Sequence, residues 1–328
     1  MNYAEAKEQF EALFEHRMSP SQMHDFLCTM RLDASTSVAS IAAAAEVMTE
    51  HALHLHVDDA LRPKLIDIVG TGGDKSGSFN ISTTTSIVVA ACGAYVAKHG
   101  NRSITSKSGS ADVLEALGVR LDLDIAQTAT MLHECGFCFM FAQHHHPAMK
   151  FIMPVRKSIN EKTVFNVLGP LTNPAGVQKF LLGVFDKSFV PKIAEVLQMN
   201  RATSAIVVSA AEGMDEISIS GITYAAQLHE GHIREFEIDP QHYGIAKAPF
   251  EAILGGDAND NAAIVHNILK NRATDAQRDI VRLNAAAALV AEGMARDMQE
   301  GLEMASEALL SGSALAKLRD IVSVSTTL

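Results

Sequence analysis

The sequence predicts an α/β protein in which a small all-helical N-terminal domain precedes a large α/β domain, whose mainly parallel central sheet is flanked by helices. Three observations support this prediction. The first 62 or so residues show only helical patterns, Pro63 then interrupts them, and short apolar runs alternate with helical segments from there on. The first of these runs, residues 65–69, is followed by glycines, as is typical of a buried parallel strand. The alternation itself indicates an α/β sheet.

Helical signals and their end set the expected domain boundaries. Ser19-Pro20 places a capping residue before a proline at the first helical position. A later segment carries apolar residues at helical spacing, namely Val38, Ile41, Ala45 and Met48. We expect a helical domain over residues 1–63, joined by a helical segment near 160–175, and an α/β domain over residues 64–328.

The α/β region divides into strands and helices by its apolar pattern. Alternating stretches between 217 and 238 indicate antiparallel strands that turn at Glu230-Gly231, and residues 262–322 are helical again. The other strands are predicted at 65–69, 95–97, 137–141, 180–185 and 205–209. The helices between them are predicted near 81–92, 110–117, 124–134, 148–158 and 189–199.

Composition excludes several classes of protein. The chain has 328 residues and is 48% hydrophobic, enough to build a large core. Its 38 acidic and 27 basic residues leave a net charge of -11, which gives no general attraction for nucleic acid. The longest apolar stretch, 87–97, is about half of the ~20 residues that a membrane span needs. Residues 1–16 lack the pattern of a signal peptide, so we expect a cytoplasmic protein without a membrane or nucleic-acid partner.

Two of the four cysteines, Cys135 and Cys138, form a C-G-F-C sequence close to the histidines at 144–146. This spacing could indicate a redox pair or half of a zinc site. A redox motif should open a helix, whereas Gly136 has the position of a helix end and 137–141 reads as a strand. We therefore expect both cysteines to be buried small residues.

A glycine-rich loop, Gly70-Thr71-Gly72-Gly73-Asp74, follows the first predicted strand, and Asn80-Ile81-Ser82-Thr83 then opens a helix. Glycines let backbone N–H groups approach an anion, and a helix start adds free donors and a positive dipole end. The spacing fits neither a P-loop nor a dinucleotide fingerprint. On its own the loop is either a simple turn or a phosphate cradle.

The loop after the second predicted strand is cationic. Lys98, Arg102 and Lys107 lie in it among glycines and hydroxyl side chains, and neither Asp nor Glu occurs between Asp74 and Asp112. Because α/β sheets bind ligands at the carboxyl ends of their strands, the two loops together indicate a ligand with several phosphate groups. The alternative is a solvated basic loop.

Two further features suit a reaction of such a ligand. Asp215 and Glu216 follow the strand at 205–209 and, unless they are merely solvated, offer the hard oxygens that Mg²⁺ takes together with substrate phosphates. Arg156 falls on the apolar face of the helix at 148–158, where it either snorkels to water or makes a two-pronged contact with a carboxylate, with His146 at the helix start.

Taken in order, these motifs resemble those of the anthranilate phosphoribosyltransferases of tryptophan biosynthesis. The resemblance implies a homodimer formed through the helical domain, and Mg²⁺ as cofactor, with two ions per active site. It also implies transfer of phosphoribosyl from 5-phosphoribosyl 1-diphosphate (PRPP) to the amine of anthranilate. The matching segments are GTGGD, NIST, KHGNRSITSKSGSADVLEALG, HHPAMK with PVRKS, FNVLGPLTNPAG and GMDEIS.

The resemblance also assigns site residues by motif position, without a catalytic base. Those implied for PRPP are Gly70, Gly73, Asp74, Ser78, Asn80, Ile81, Ser82, Thr83, Lys98, His99, Gly100, Asn101, Arg102, Ser103, Ser106 and Ser110. Those implied for anthranilate are Gly70, His99, Asn101, His146, Arg156, Gly169 and Pro170. Those implied for the metal are Ser82, Asp215 and Glu216.

The chain departs from the family pattern at one place, and two rival functions stay open. Asn160-Glu161-Lys162 stands where the family more often has a Gly and an Arg, so we expect the loop after the Arg156 helix to be held differently. A pyrimidine nucleoside phosphorylase would share the cationic loop but would need neither Mg²⁺ nor the LGPLTNP segment. A non-catalytic relative that binds nucleic acid should be basic, unlike this chain.

Overall fold

A computed structural model describes residues 1–33, 35–74, 76–103 and 107–328. The helices longer than a single 3₁₀ turn are α1 Tyr3–Phe14, α2 Pro20–Thr29, α3 Val38–Glu50, α4 Ile81–Ala91, α5 Ser110–Ala116, α6 Ile125–Cys135, α7 Ala142–His145, α8 Met149–Lys157, α9 Phe165–Leu168, α10 Val190–Met199, α11 Ala258–Leu269, α12 Asp275–Glu292, α13 Met298–Leu310 and α14 Ser313–Thr327. The strands are β1 Leu65–Gly70, β2 Tyr95–Gly100, β3 Phe137–Phe141, β4 Lys179–Gly183, β5 Ser204–Ala210, β6 Thr223–His229 and β7 His232–Ile238.

In the described residues, the strands form one seven-stranded sheet in the order β3-β2-β1-β4-β5-β6-β7. The pairs from β3 to β5 are parallel, and β6 and β7 are added antiparallel. Glu230 and Gly231, with φ of 49° and 76°, form the tight turn between β6 and β7. The predicted α/β class and mainly parallel sheet are confirmed, and β6 begins only at Thr223, since 217–222 is irregular.

The two faces of the sheet pack into two apolar clusters. Side chains alternate between faces along a strand, so Ile66 and Ile68 pack against α4, α5 and α11 to α14. Leu65 and Val69 lie in the other cluster, together with the N-terminal helices, α9 and α10. The N-terminal helices therefore share a continuous core with one face of the sheet.

The helices that follow β3 pack on the N-terminal helices. α8 contacts α1 and α2, and α9 contacts α3. Leu53 N–H donates to the His145 carbonyl at 2.8 Å, which ties the end of the N-terminal region to the segment that follows β3. Residues from two distant parts of the chain therefore build the helical layer above this face of the sheet. None of the helices in the described ranges is long and apolar enough to span a membrane.

The backbone ladder between β1 and β2 is short. It comprises only the pairs Leu65–Tyr95 and Ile66–Val96, whereas β1 pairs with β4 up to Gly70 and Gly183. We call the stretch of β1 and β2 beyond Ile66 and Val96 the ladder break. Polar side chains, described below, supply hydrogen bonds there. The predicted site residues Gly70, Lys98 and His99 lie in this stretch.

Candidate active site

Close packing of glycines fixes the acidic loop at the carboxyl ends of β1 and β4. Gly70 and Gly183 are paired across these strands. A Cβ atom on Gly183 would lie 1.6 Å from the Asp215 carbonyl oxygen, and one on Gly70 would lie 2.3 Å from Asp215 Oδ2. A side chain at Gly183 would displace the loop backbone, and one at Gly70 would displace the Asp215 carboxylate. Gly70 was assigned from the motif, and Gly183 was missed, although a glycine ending the neighbouring strand was a readable signal.

Asp215 is held against the glycine turn. Its Oδ2 accepts from Gly72 N–H at 2.6 Å, and Gly72 and Gly73 adopt φ of 65° and 73°, which favours glycine. Removal from water, followed by the charges of Asp74 and Glu216, raises the pKa of Asp215 well above its usual range. The N–H donors of the glycine turn therefore do not balance the negative charge of the acids beside it.

Glu216 caps the start of α4. Its Oε1 accepts from Ser82 N–H at 3.1 Å and from Ser82 Oγ–H at 2.6 Å. Burial raises the pKa of Glu216, and these hydrogen bonds and the charge of Lys98 oppose the rise. Ile81 and Thr83, on either side of Ser82, are each only 1% exposed, and the Ile81 N–H donates to the Phe79 carbonyl at 2.7 Å.

Lys98 is a buried cation at the edge of the sheet formed by the carboxyl ends of the parallel strands. It is 2% exposed, and its Nζ donates to the Ile68 carbonyl at 2.5 Å. Burial lowers the pKa of Lys98, and the negative charges of Asp67, Glu216 and Asp215 oppose this effect. The structure thus brings the predicted phosphate-side lysine to the predicted metal-side acids.

The side chain of His99, the next residue of β2, lies on the opposite face of the sheet. Its Nδ1 lies 3.0 Å from the Gly169 carbonyl, which can only accept, so Nδ1 carries the proton and Nε2 is the acceptor. The His99 ring centroid lies 5.2 Å from that of His146. Among the described residues, His99 Nε2 has no hydrogen-bond partner although it is buried. The buried ring nitrogens of His146 make no hydrogen bond of normal geometry, although the Thr172 backbone lies close to them. Such buried polar atoms require a partner, and a ligand can supply it.

Both histidines are neutral near pH 7. Burial, reinforced by the neighbouring His146, lowers the pKa of His99 to about 3, and burial lowers the pKa of His146 to about 4. The pocket they line therefore offers no positive charge of its own. Gly169 opens it further, because a Cβ atom there would meet nothing within 4 Å, while the adjacent Pro170 is buried.

Arg156 is the cation near the end of α8. Its guanidinium carbon lies 5.7 Å from the centroid of the Phe165 ring, and burial lowers the pKa of Arg156. Within the part of the chain that the structure describes, no carboxylate forms an ion pair with it. Arg156 is thus a desolvated cation without a counter-charge, as expected for a residue that receives an acidic ligand.

The cationic loop after β2 is held by its own acids and amides. Arg102 makes a two-pronged contact with Glu115, at 2.5 and 2.7 Å, and a 2.9 Å contact with Asp112, so its charge is already balanced. Ser103 N–H and Gly109 N–H donate to Asp112 as well. Gly100 leaves no room for a Cβ atom, which would lie 2.4 Å from Ser110 Oγ.

Asparagines join this loop to the start of α4. Asn80 Nδ2 donates to the Ser108 carbonyl at 3.3 Å, and Asn261 of α11 donates to Asn80 Oδ1 at 2.9 Å. Asn101 Oδ1 accepts from Arg102 N–H at 2.8 Å.

Ser78 Oγ lies 3.2 Å from Ser76 Oγ, in the segment that follows the glycine-rich loop. Asn261 was missed, since a lone buried amide on a distant helix carries no sequence signal. Ser106 lies outside the described residues.

Residues 160–162, which depart from the family pattern, pack against the helical layer. Glu161 pairs with Arg31 at 3.1 Å, and Leu32 N–H donates to the Lys162 carbonyl at 2.9 Å. The Lys162 ammonium lies 3.2 Å from the centroid of the Phe185 ring, just beyond β4. The segment therefore reaches from the end of α2 to the loop that follows β4.

Comparison with known proteins fits this geometry. The profile of the glycosyl transferase family, a/b domain, matches residues 62–315. An anthranilate phosphoribosyltransferase from Xanthobacter autotrophicus is 47% identical over 99% of this chain and 92% of its own length. The chain belongs to the anthranilate phosphoribosyltransferase family. The resemblance expected from the motifs is thereby confirmed.

Solved structures of the family share the whole fold. The crystal structure of the Thermus thermophilus anthranilate phosphoribosyltransferase superposes with a TM-score of 0.92 at 38% identity, covering 99% of this chain and 96% of that one. The Saccharomyces cerevisiae anthranilate phosphoribosyltransferase in complex with PRPP and Mg superposes with a TM-score of 0.86 at 26% identity, covering 97% and 91%.

Cys135 and Cys138 are buried, and burial raises the pKa of both thiols. Gly136, with φ of 69°, ends α6 between them, as its position in the sequence predicted. Both cysteines therefore pack as small residues in the core.

The neutral state of His146 predicts a pH dependence of stability. Because its pKa is about 4 in the folded chain and about 6.5 when unfolded, unfolding takes up a proton between these values, and stability falls as the pH drops below about 6.5. His146→Gln removes this uptake. Relative to the parent, its free energy of unfolding should rise by about 1–2 kcal/mol between roughly pH 7 and 5 in urea titrations. His232→Gln, at an exposed position, should follow the parent, and parallel curves for all three proteins would refute the neutral assignment.

Proposed function

We propose that the protein transfers the 5-phosphoribosyl group from PRPP to the amine of anthranilate, giving N-(5-phosphoribosyl)anthranilate and diphosphate in tryptophan biosynthesis. One observation carries this proposal beyond family membership. The side chains of two consecutive residues of β2 lie on opposite faces of the sheet. Lys98 interacts with the charges of Asp215 and Glu216, whereas His99 contacts Gly169 and His146. A single strand end thus presents a charged polar side and a neutral side, as a reaction between a polyphosphate and an aromatic amine requires.

The phosphate side suits a magnesium complex of PRPP. Asp215 and Glu216 are hard oxygen donors whose raised pKa values reflect excess negative charge. Among the described residues, no group of three or more His, Cys, Asp or Glu side chains is placed to hold a metal ion alone. This favours Mg²⁺ that shares its ligands with substrate phosphates. We infer two ions per site, bound with the help of Ser82, Asp215 and Glu216.

The acceptor side suits anthranilate. Arg156 lacks a counter-charge within the described residues and can face the carboxylate of the substrate. His99 Nε2 can accept a hydrogen bond from an amine, because its Nδ1 proton is given to Gly169. The open space at Gly169 leaves room for an aromatic ring. Gly70, Asn101 and Pro170 complete the residues that we assign to this side.

These residues contribute to the reaction by binding and orientation. As diphosphate leaves C1 of the ribose, charge builds on the departing oxygens, and the buried Lys98 is preorganised to stabilise it. Bound Mg²⁺ would add Lewis-acid stabilisation of the leaving group. The amine attacks the opposite face of C1 with inversion. Because it is already neutral, alignment in the pocket supplies its activation, worth at most ~7–11 kcal/mol.

We further infer a homodimer formed through the helical domain, with that domain spanning residues 1–63 and the α/β domain residues 64–328. Phe151 supports this inference from outside that range, because α8 packs on α1 and α2. Its side chain is 58% exposed and is covered only in part by His16, at 4.3 Å between ring centroids. A cytoplasmic location completes the proposal.

The proposed activity predicts a simple spectroscopic change. Anthranilate fluorescence should fall when PRPP and the purified protein are mixed with Mg²⁺, and it should stay constant when the metal is chelated. Constant fluorescence in both cases, combined with phosphate-dependent cleavage of thymidine or uridine without Mg²⁺, would replace the proposal with a nucleoside phosphorylase. Tight, salt-sensitive binding of DNA without either activity would indicate the non-catalytic alternative.

The acidic loop predicts a change in metal dependence. Asp215→Asn combined with Glu216→Gln keeps the shape of both side chains but removes their charge, so the Mg²⁺ concentration for half-maximal rate should rise and kcat should fall by about 10²-fold or more. Glu235→Gln, at an exposed position of β7, is the control. An unchanged metal titration would exclude Asp215 and Glu216 as metal ligands.

The acceptor side predicts a selective binding defect. Arg156→Ala removes the charge that we assign to the anthranilate carboxylate, so KM for anthranilate should rise by about 10- to 100-fold, while KM for PRPP stays within about threefold. Lys157→Ala, the next residue and exposed, is the matched control and should change neither value. An equal rise in both KM values would contradict the role of Arg156.

A further inference from the structure

The ladder break between β1 and β2 contains a buried carboxylate that none of the assignments above uses. Asp67 of β1 is 0% exposed. Its Oδ1 accepts from the backbone N–H of His99 at 3.2 Å, and its Oδ2 accepts from Asn173 Nδ2 at 2.7 Å. Burial raises the pKa of Asp67 to about 6, and the charge of Lys98 opposes the rise. Burying a carboxylate costs free energy unless it is paired, so the burial of Asp67 calls for a structural or functional role.

Asn173 connects the same carboxylate to the segment that forms the acceptor pocket. Its Nδ2 also donates to the Ala97 carbonyl at 2.9 Å, and its Oδ1 accepts from Ala175 N–H at 2.9 Å. The side chain thus bridges β1, β2 and the chain that follows Gly169. Gly169 is joined to His99 a second time through its carbonyl.

We propose that Asp67 and Asn173 are positioning residues that fix His99 and the 169–175 segment against each other, and so set the geometry of the acceptor pocket. They act where the backbone ladder between β1 and β2 has ended, so no main-chain hydrogen bond duplicates them. They touch neither the glycine turn nor the acidic loop. Lys98 is anchored independently, by the Ile68 carbonyl. The role rests on the proposed function, because the pocket is assigned to anthranilate.

Two variants test this role. Asp67→Asn places an amide between two donors, so it can satisfy only one of them, and Asn173→Ala removes the bridge altogether. Both should raise KM for anthranilate on the order of tenfold. KM for PRPP should change by less than about threefold in Asn173→Ala, and by less than KM for anthranilate in Asp67→Asn, which also removes a negative charge near Lys98.

Ser325→Ala is the control for a purely structural effect. It also removes a buried hydrogen bond, 3.1 Å from Arg120 N–H, but lies on the other side of the sheet. It should lower the melting temperature without changing the ratio of the two KM values. If Asp67→Asn and Asn173→Ala change both KM values equally, or change them only as Ser325→Ala does, the positioning role is wrong.

A measurement that does not need turnover separates this inference from the proposed function. Hydrogen exchange of the His99 amide should speed up in Asp67→Asn and stay at the parent rate in Ser325→Ala. A parent protein that does not consume anthranilate would refute the proposed function, while faster exchange of His99 would still support the Asp67 anchor. Unchanged exchange in Asp67→Asn would overturn the anchor whatever the activity.

Discussion

The structure of the site depends on burying one lysine at the end of a parallel sheet. Lys98 is nearly inaccessible to water, yet three carboxylates, those of Asp67, Asp215 and Glu216, influence its charge. An isolated buried ammonium would lose its proton, and isolated buried acids would gain one. Lys98 therefore favours the charged forms of Asp67 and Glu216, and the acids favour the charged form of Lys98. The cluster still holds more acid than base, which leaves it receptive to a cation.

Several expectations could be read directly from the sequence, and the reason is local. The strands and helices of the α/β region follow from apolar runs punctuated by glycines, and the start of α4 follows from a polar segment after a glycine loop. Ser82, Lys98 and Asp215 lie at strand ends or in the segments after them, where the residue types predict a phosphate and metal site. Their placement at one sheet edge follows from parallel strand order alone.

The remaining parts of the site depend on contacts between distant segments. Gly183 matters because of its distance from Asp215, and Asn261 matters because it reaches Asn80 from α11. Asp67 reads as a polar interruption of an apolar strand, and only the ladder break shows what it binds. Pairing across more than a hundred residues leaves no periodic trace in one sequence. Such partners become visible only when the fold is known.

The altered segment 160–162 connects the helical layer to the loop that follows β4. Glu161 is tied to Arg31 at the end of α2, and the Lys162 ammonium rests on the Phe185 ring beyond β4. A lysine over an aromatic face keeps a positive charge there without the planar, two-pronged geometry of an arginine. The segment thus links the helical layer to the sheet edge by one flexible side chain. Since Arg156 lies only a few residues earlier, the way this link is made bears on how that arginine is held against the Phe165 ring.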